Sequence, residues 1–232
     1  MQAWIDFAMG PLFAFSLGVM ALGLLRHLVL QLDTLFRRKR SRLKYMPWNK
    51  MLHDSLEWAL PVRHLTSGNV IFSNASFVFH IGAILVPLFY AGHIVLWEQW
   101  LGVKLWSIGN GFADVLTVIT ILAVLVLLVS RIAVPRLRAI SRNSDVSLLV
   151  LILLPFISGF LAAHPAFNPL PWQTMFLIHL LSAEALLILV PFTKLSHIVL
   201  IFFDRISEIH WQLRPGAGDR VAETVLGKEA KV

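Results

Sequence analysis

Five stretches of this chain are apolar for long enough to cross a bilayer as helices, a crossing that takes about 20 residues. They lie near 4–30, 76–97, 112–133, 146–164 and 173–203. In hydrocarbon every backbone N–H and C=O must be satisfied within the protein, so such runs fold as helices. The expected fold class is therefore all-α: a polytopic membrane protein with five transmembrane helices in one bundle. Composition points the same way, because 57% of the residues are hydrophobic and only 14% are charged, against about 25% charged in a soluble domain. A single membrane domain over 1–213 is expected, followed by a polar cytoplasmic tail over 214–232.

Loop charges set the expected topology. Arg37, Arg38, Lys39, Arg40, Arg42, Lys44 and Lys50 lie between spans one and two, and Arg131, Arg136, Arg138 and Arg142 lie between spans three and four. The other two loops carry one positive residue, Lys104. Positive loops stay in the cytoplasm, which puts the N-terminus outside and the C-terminus inside, in a multi-pass protein of the cell's inner (cytoplasmic) membrane. Trp97, Trp100, Trp106 and Trp172 then fall at the outer interface. The segment 47–68 reads as a short interfacial helix on the cytoplasmic side, ended by Pro61, which lies on lipid or docks a cytoplasmic subunit.

The absence of cysteine removes several classes of chemistry. No disulfide, iron–sulfur cluster or zinc–thiolate site can be built from this chain alone. Haem cannot be attached covalently through C-x-x-C-H. The net charge of +7 is explained by the membrane-flanking loops, so no nucleic-acid partner is inferred. The N-terminal stretch has no basic n-region and is long enough to span, so no cleavable signal peptide is expected.

Four histidines fall inside two of the spans: His80 and His93 in FVFHIGAILVPLFYAGHIVLW, His179 and His197 in FLIHLLSAEALLILVPFTKLSHIVLIF. Ionisable residues within a span are costly and mark functional sites. Neutral imidazole is a common axial ligand of haem iron. His179 and His197 are 18 residues apart, about five turns and about 27 Å on one face of a continuous helix. His80 and His93 are 13 apart, which leaves the two rings about 140° apart on a straight helix. Pro87 lies between them and can kink or re-wind it. Spans two and five run in opposite directions. His93 therefore meets His179 at the outer leaflet, and His80 meets His197 at the inner one. Two b-type haems, each between one such pair, would make an electron path across the bilayer. Gly82, Ala83, Ala91, Gly92, Ser182 and Ala183 would leave room for a macrocycle. The alternative is that the four histidines hydrogen-bond between helices.

The segments FHIGAILVPLFYAGHIVLW and IHLLSAEALLILVPFTKLSHI resemble the di-haem cytochrome b subunits of the respiratory nitrate reductase gamma type. The resemblance covers roughly 76–203. The phrase His179, Pro191, Phe192, Thr193, Lys194, Leu195, His197 is its most specific part. The longer gap in the second span, with PLF-AGH between the histidines, is more similar to the cytochrome b subunits of sulfur-metabolism complexes. These include the Dsr and Tmc complexes of sulfate reducers, whose partners resemble the catalytic iron–sulfur subunit of heterodisulfide reductase. The resemblance implies a quinone-reactive subunit of a respiratory oxidoreductase complex. It would relay electrons between menaquinone or ubiquinone near the outer haem and a cytoplasmic iron–sulfur subunit, of the heterodisulfide-reductase or nitrate-reductase kind. Further membrane or periplasmic cytochrome subunits are compatible with it. The terminal chemistry would belong to partner chains.

A few other residues bear on the site. Gly92 and His93, with Glu98 and Lys104 in the following loop, are the candidates for a quinone site, since the nitrate reductase family uses a lysine in this loop. Lys194 either contacts a haem propionate or snorkels to the headgroups. Glu184, five residues after His179, is paired, protonated or part of a proton path. His164 is either a proton acceptor or an interfacial loop histidine. Two rival functions remain open: a haem-free membrane anchor for a catalytic subunit, and a small proton-coupled transporter.

Overall fold

A computed structural model of the chain describes residues 1–43, 49, 52–53 and 70–200. The described fold is all helical, and five helices are long and apolar enough to cross a membrane: Gln2–Asp33, Val70–Phe89, Asn110–Ala133, Asn143–Ala163 and Trp172–Phe192. Large apolar side chains such as Leu22, Ile71, Val95, Leu122 and Val129 face outward. Such a surface suits lipid and would be an aggregation hazard in water. The interfacial helix expected over 47–68 lies outside the described residues apart from Asn49, Leu52 and His53, and so does the tail over 214–232.

The chain forms two compact units, Met1–Val19 with Arg63–Ile188, and Met20–Val62 with Leu189–Val232. The helices are α1 (Gln2–Phe7), α2 (Phe13–Leu43), α3 (Val70–Phe89), α4 (Ala91–Leu101), α5 (Asn110–Ala133), α6 (Pro135–Ile140), α7 (Asn143–Ala163) and α8 (Trp172–Leu189). A π-type turn over Ala8–Leu12 joins α1 to α2. It contains Pro11, which lacks the N–H a regular turn would use.

In the first unit α5 is the central helix, with α3 and α7 packed on it. Val124 and Thr120 of α5 are fully buried. Lipid supplies no hydrophobic force between helices, so contact depends on small residues that let backbones approach. Gly82 of α3 is such a residue, because a Cβ there would collide with the Thr120 side chain. The Thr120 and Thr117 hydroxyls are satisfied within α5, donating to Leu116 O at 2.6 Å and Ala113 O at 2.7 Å. Ile5 and Ala8 pack against Leu180 of α8, with Met9, Phe176 and Leu177 around them. Trp97 and Trp100 both lie against Phe13, with ring centroids 6.1 Å apart in each case. These contacts gather the N-terminus, the 102–109 loop and the 164–171 loop at one end of this unit.

The expected second span, 76–97, is interrupted. α3 stops at Phe89, Tyr90 is extended (φ −67°, ψ 133°), and α4 starts afresh at Ala91. Pro87 sits three residues before the break. The carbonyls left open at the end of α3 are capped from elsewhere: Phe89 O accepts from Ile108 N–H at 3.0 Å, and Pro87 O accepts from the Trp97 indole at 3.1 Å. The straight-helix angle between His80 and His93 therefore does not apply.

The fifth span is also not continuous to 203. α8 ends at Leu189, and the second unit continues through 3-10 turns at Val190–Phe192 and Lys194–Ser196. Pro191 cannot donate to the preceding turn. Thr193, extended between the two turns (φ −126°, ψ −177°), accepts from Leu195 N–H with its hydroxyl and donates that hydroxyl to Leu189 O at 2.8 Å. In the same unit α2 packs on this break. A Cβ at Gly23 would collide with the Pro191 ring, and His27 Nε2 donates to Pro191 O at 2.7 Å. The five-turn count that put His179 and His197 on one helix face fails for this reason.

Candidate functional site

His93 stands on the first turn of α4, and the break at Tyr90 aims it. Its Nδ1 lies 3.1 Å from Val86 O, which also accepts Tyr90 N–H at 3.1 Å. The Tyr90 ring meets the imidazole edge-on at 5.4 Å. Gly92 permits this, since a Cβ there would come within 3.0 Å of the Tyr90 ring.

His179 projects from α8 onto α7. Its Nδ1 lies 2.9 Å from Pro155 O. The approach depends on Gly159, one turn further along α7, where a Cβ would stand 2.8 Å from Cε1 and 2.9 Å from Nδ1 of the imidazole. The Phe176 ring lies 6.5 Å away, 22° from the plane of the imidazole.

The two imidazoles are 5.9 Å apart between centroids and 11° from parallel. A carbonyl oxygen can only accept, so each Nδ1 carries the hydrogen and each Nε2 keeps its lone pair. A ligating histidine needs this tautomer, fixed by a bond from its other nitrogen. A metal–imidazole bond is about 2 Å and the centroid lies about 1 Å behind the nitrogen, so two rings sharing a metal in line stand about 6 Å apart. A direct N–H···N bond would bring the centroids to about 5 Å, and face-to-face contact to about 4 Å. The observed 5.9 Å leaves room for a shared metal, and it also lies within the range of about 4.5–7 Å of an offset-stacked aromatic pair. Among the described residues, no group of three or more His, Cys, Asp or Glu side chains could hold a metal. Two imidazoles without a third protein ligand suit a metal that brings its own equatorial ligands. Haem iron is a metal of that kind.

The other expected site residues occupy separate places. His80, on α3 in the first unit, donates Nδ1–H to Ser76 O at 2.6 Å, and its ring lies 4.9 Å from that of Phe79. His197 and Lys194 belong to the second unit, where His197 donates Nδ1–H to Lys194 O at 2.8 Å. Glu98 and Lys104 face each other at 3.8 Å and are well exposed, with Gly102 between them in the left-handed conformation (φ 66°). Glu184 is 3% exposed, and neither carboxylate oxygen has a hydrogen-bond partner among the described residues.

Three features of this site escape a sequence reading centred on the ligand-bearing spans. Gly159 and Pro155 lie on span four, where the proline–glycine spacing of one turn is the available signal. Trp97 reads as an interfacial aromatic, but its indole caps the helix break that aims His93. Asp114 pairs with His164, Oδ2 to Nε2 at 3.3 Å.

No family model matches the chain, and no solved structure matches it. A protein of Nitratidesulfovibrio vulgaris is 36% identical to it over 205 residues, which cover 86% of this chain and 89% of the relative. The similarity runs through nearly the full length of both, and the chain therefore belongs to the family of that Nitratidesulfovibrio vulgaris protein.

Proposed function

We infer that this chain is a di-haem cytochrome b, the quinone-reactive membrane subunit of a respiratory oxidoreductase complex. The observation that carries the reading is the His93–His179 pair: two imidazoles in the ligating tautomer, 5.9 Å apart and nearly parallel. Bis-histidine haem iron supplies one-electron transfer. The chain's own residues fix what surrounds it. Val86 O and Pro155 O hold the two tautomers, and Gly159 opens the space that His179 occupies. The second haem is an expectation from the sequence alone, which would give it His80, His197 and Lys194.

With the N-terminus outside, as the loop charges favour, the His93–His179 site lies toward the outer leaflet. Menaquinol or ubiquinol would react there, near Gly92, Glu98 and Lys104. Electrons would pass between this site and an iron–sulfur subunit on the cytoplasmic side. The resemblance to cytochrome b subunits of sulfur-metabolism complexes favours a partner similar to the catalytic subunit of heterodisulfide reductase.

The test is the reduced-minus-oxidised optical spectrum of the purified chain, with haem measured as pyridine haemochrome. About two b haems per chain are expected from four ligating histidines. Folded protein that takes up no haem, expressed with ample haem supply, would overturn the reading.

A further inference from the structure

Asp114, in the second turn of α5, and His164, which ends α7, meet at the same end of the first unit as the 102–109 loop. His164 Nε2 stands 3.3 Å from Asp114 Oδ2, and the two side chains remain 28% and 37% exposed. The ring is held in one orientation. Its Nδ1 donates to Phe160 O at 2.9 Å, and the Phe160 ring stacks on it at 4.3 Å and 25°. With the Nδ1 hydrogen committed to a carbonyl, Nε2 is the atom presented to the carboxylate. An imidazole lone pair facing a carboxylate oxygen is repulsive, whereas one proton between them makes a charge-assisted hydrogen bond. The dyad thus sets a nitrogen and a carboxylate oxygen 3.3 Å apart, with room for a proton between them, at a place water can reach. The same helix carries both contacts: Phe160, which holds His164, follows Gly159, against which the His179 ring lies. The Glu98–Lys104 pair nearby is more exposed and is already a closed ion pair.

We propose that Asp114 and His164 accept the protons of a quinol oxidised at the His93–His179 site, an inference that rests on the quinone-reactive reading above. A quinol loses two electrons and two protons as its two O–H bonds break and a quinone forms. The electrons would leave singly to the haem iron that His93 and His179 would hold. One proton moves to the shared position between Asp114 Oδ2 and His164 Nε2 and from there to water. The second follows once the first has left.

The test uses the full chain in detergent with its haem content measured, reduced either by a water-soluble quinol or by dithionite. His164→Ala and the isosteric Asp114→Asn are expected to slow quinol-driven haem reduction by about a hundredfold, a typical loss for a proton-accepting group. Dithionite should still reduce both variants fully, and the midpoint potentials should match the wild type. Imidazole added to the buffer should restore the rate of His164→Ala and leave Asp114→Asn slow. Wild-type rates in both variants would overturn the inference and leave the haem reading intact. Slowing without rescue, or with a displaced potential, would make the dyad a packing contact and overturn it too. A wild-type chain without haem would overturn the quinone-reactive reading and this inference with it.

Discussion

At Gly159 an added Cβ would stand 2.8 Å from Cε1 of His179, and the imidazole would have to leave Pro155 O. In a helix interior glycine costs up to about 1 kcal/mol relative to alanine, so Gly159→Ala should favour the helix while disturbing the ligand. The expected outcome is a folded protein whose pyridine haemochrome value falls by about half, one of two bis-histidine sites being lost. An unchanged value would show that His179 does not need this space. Glu184 presents the opposite balance. It is 3% exposed with both carboxylate oxygens unpartnered among the described residues, and a buried group without a partner costs about 1–3 kcal/mol. Glu184→Leu should therefore raise the stability of the detergent-solubilised protein by about 1–3 kcal/mol, read as a higher unfolding midpoint. A stabilising change of this kind that also lowers quinol-driven reduction would mark the carboxylate as retained for function. The residues that carry these predictions differ in how visible they are in sequence. A carboxylate inside an apolar run is conspicuous. Gly159 is not, because its role is to be absent from a place that another helix fills.

The helices show where one-dimensional reading succeeds and where it stops. Five spans follow from apolar run length, since the bilayer demands length and internal hydrogen bonding and little else. The interruptions in spans two and five do not follow. Pro87 and Pro191 announce a weak turn, but the positions of the breaks are decided by groups distant in sequence or by a local cap. Ile108 N–H and the Trp97 indole receive the carbonyls at the end of α3. The Thr193 hydroxyl ties the end of α8 to the next turn. Spacing arguments that assume 3.6 residues per turn across such prolines fail. The antiparallel sense of two spans survives, and it is this sense that sets His93 opposite His179. Helix contact itself is testable at the α3–α5 crossing. Gly82→Ala places a methyl against Thr120 and should destabilise the protein by about 1–3 kcal/mol, the usual cost of overpacking. The Thr120 side-chain oxygen is the atom nearest that methyl. Thr120→Ala in the same background should recover part of the loss, a coupling that a double-mutant cycle measures directly.

At the scale of the whole molecule, direction across the membrane decides which redox partner a haem held by His93 and His179, as proposed, would meet. Five spans would put the two termini on opposite sides, without saying which is outside. The loop charges favour an external N-terminus, because Arg136, Arg138 and Arg142 follow span three while Lys104 stands nearly alone after span two. The chain contains no cysteine, so single engineered cysteines report their side without background. Lys104, on the loop before α5, and Arg138, on the short helix α6 after it, are both exposed. In intact cells with a permeable outer layer, Lys104→Cys should react with a membrane-impermeant maleimide. Arg138→Cys should react only after the inner membrane is opened. The reverse pattern would place the His93–His179 site on the cytoplasmic side. A quinol oxidised there would release its protons into the cytoplasm, and electron transfer through the chain would no longer contribute charge separation in the sense proposed.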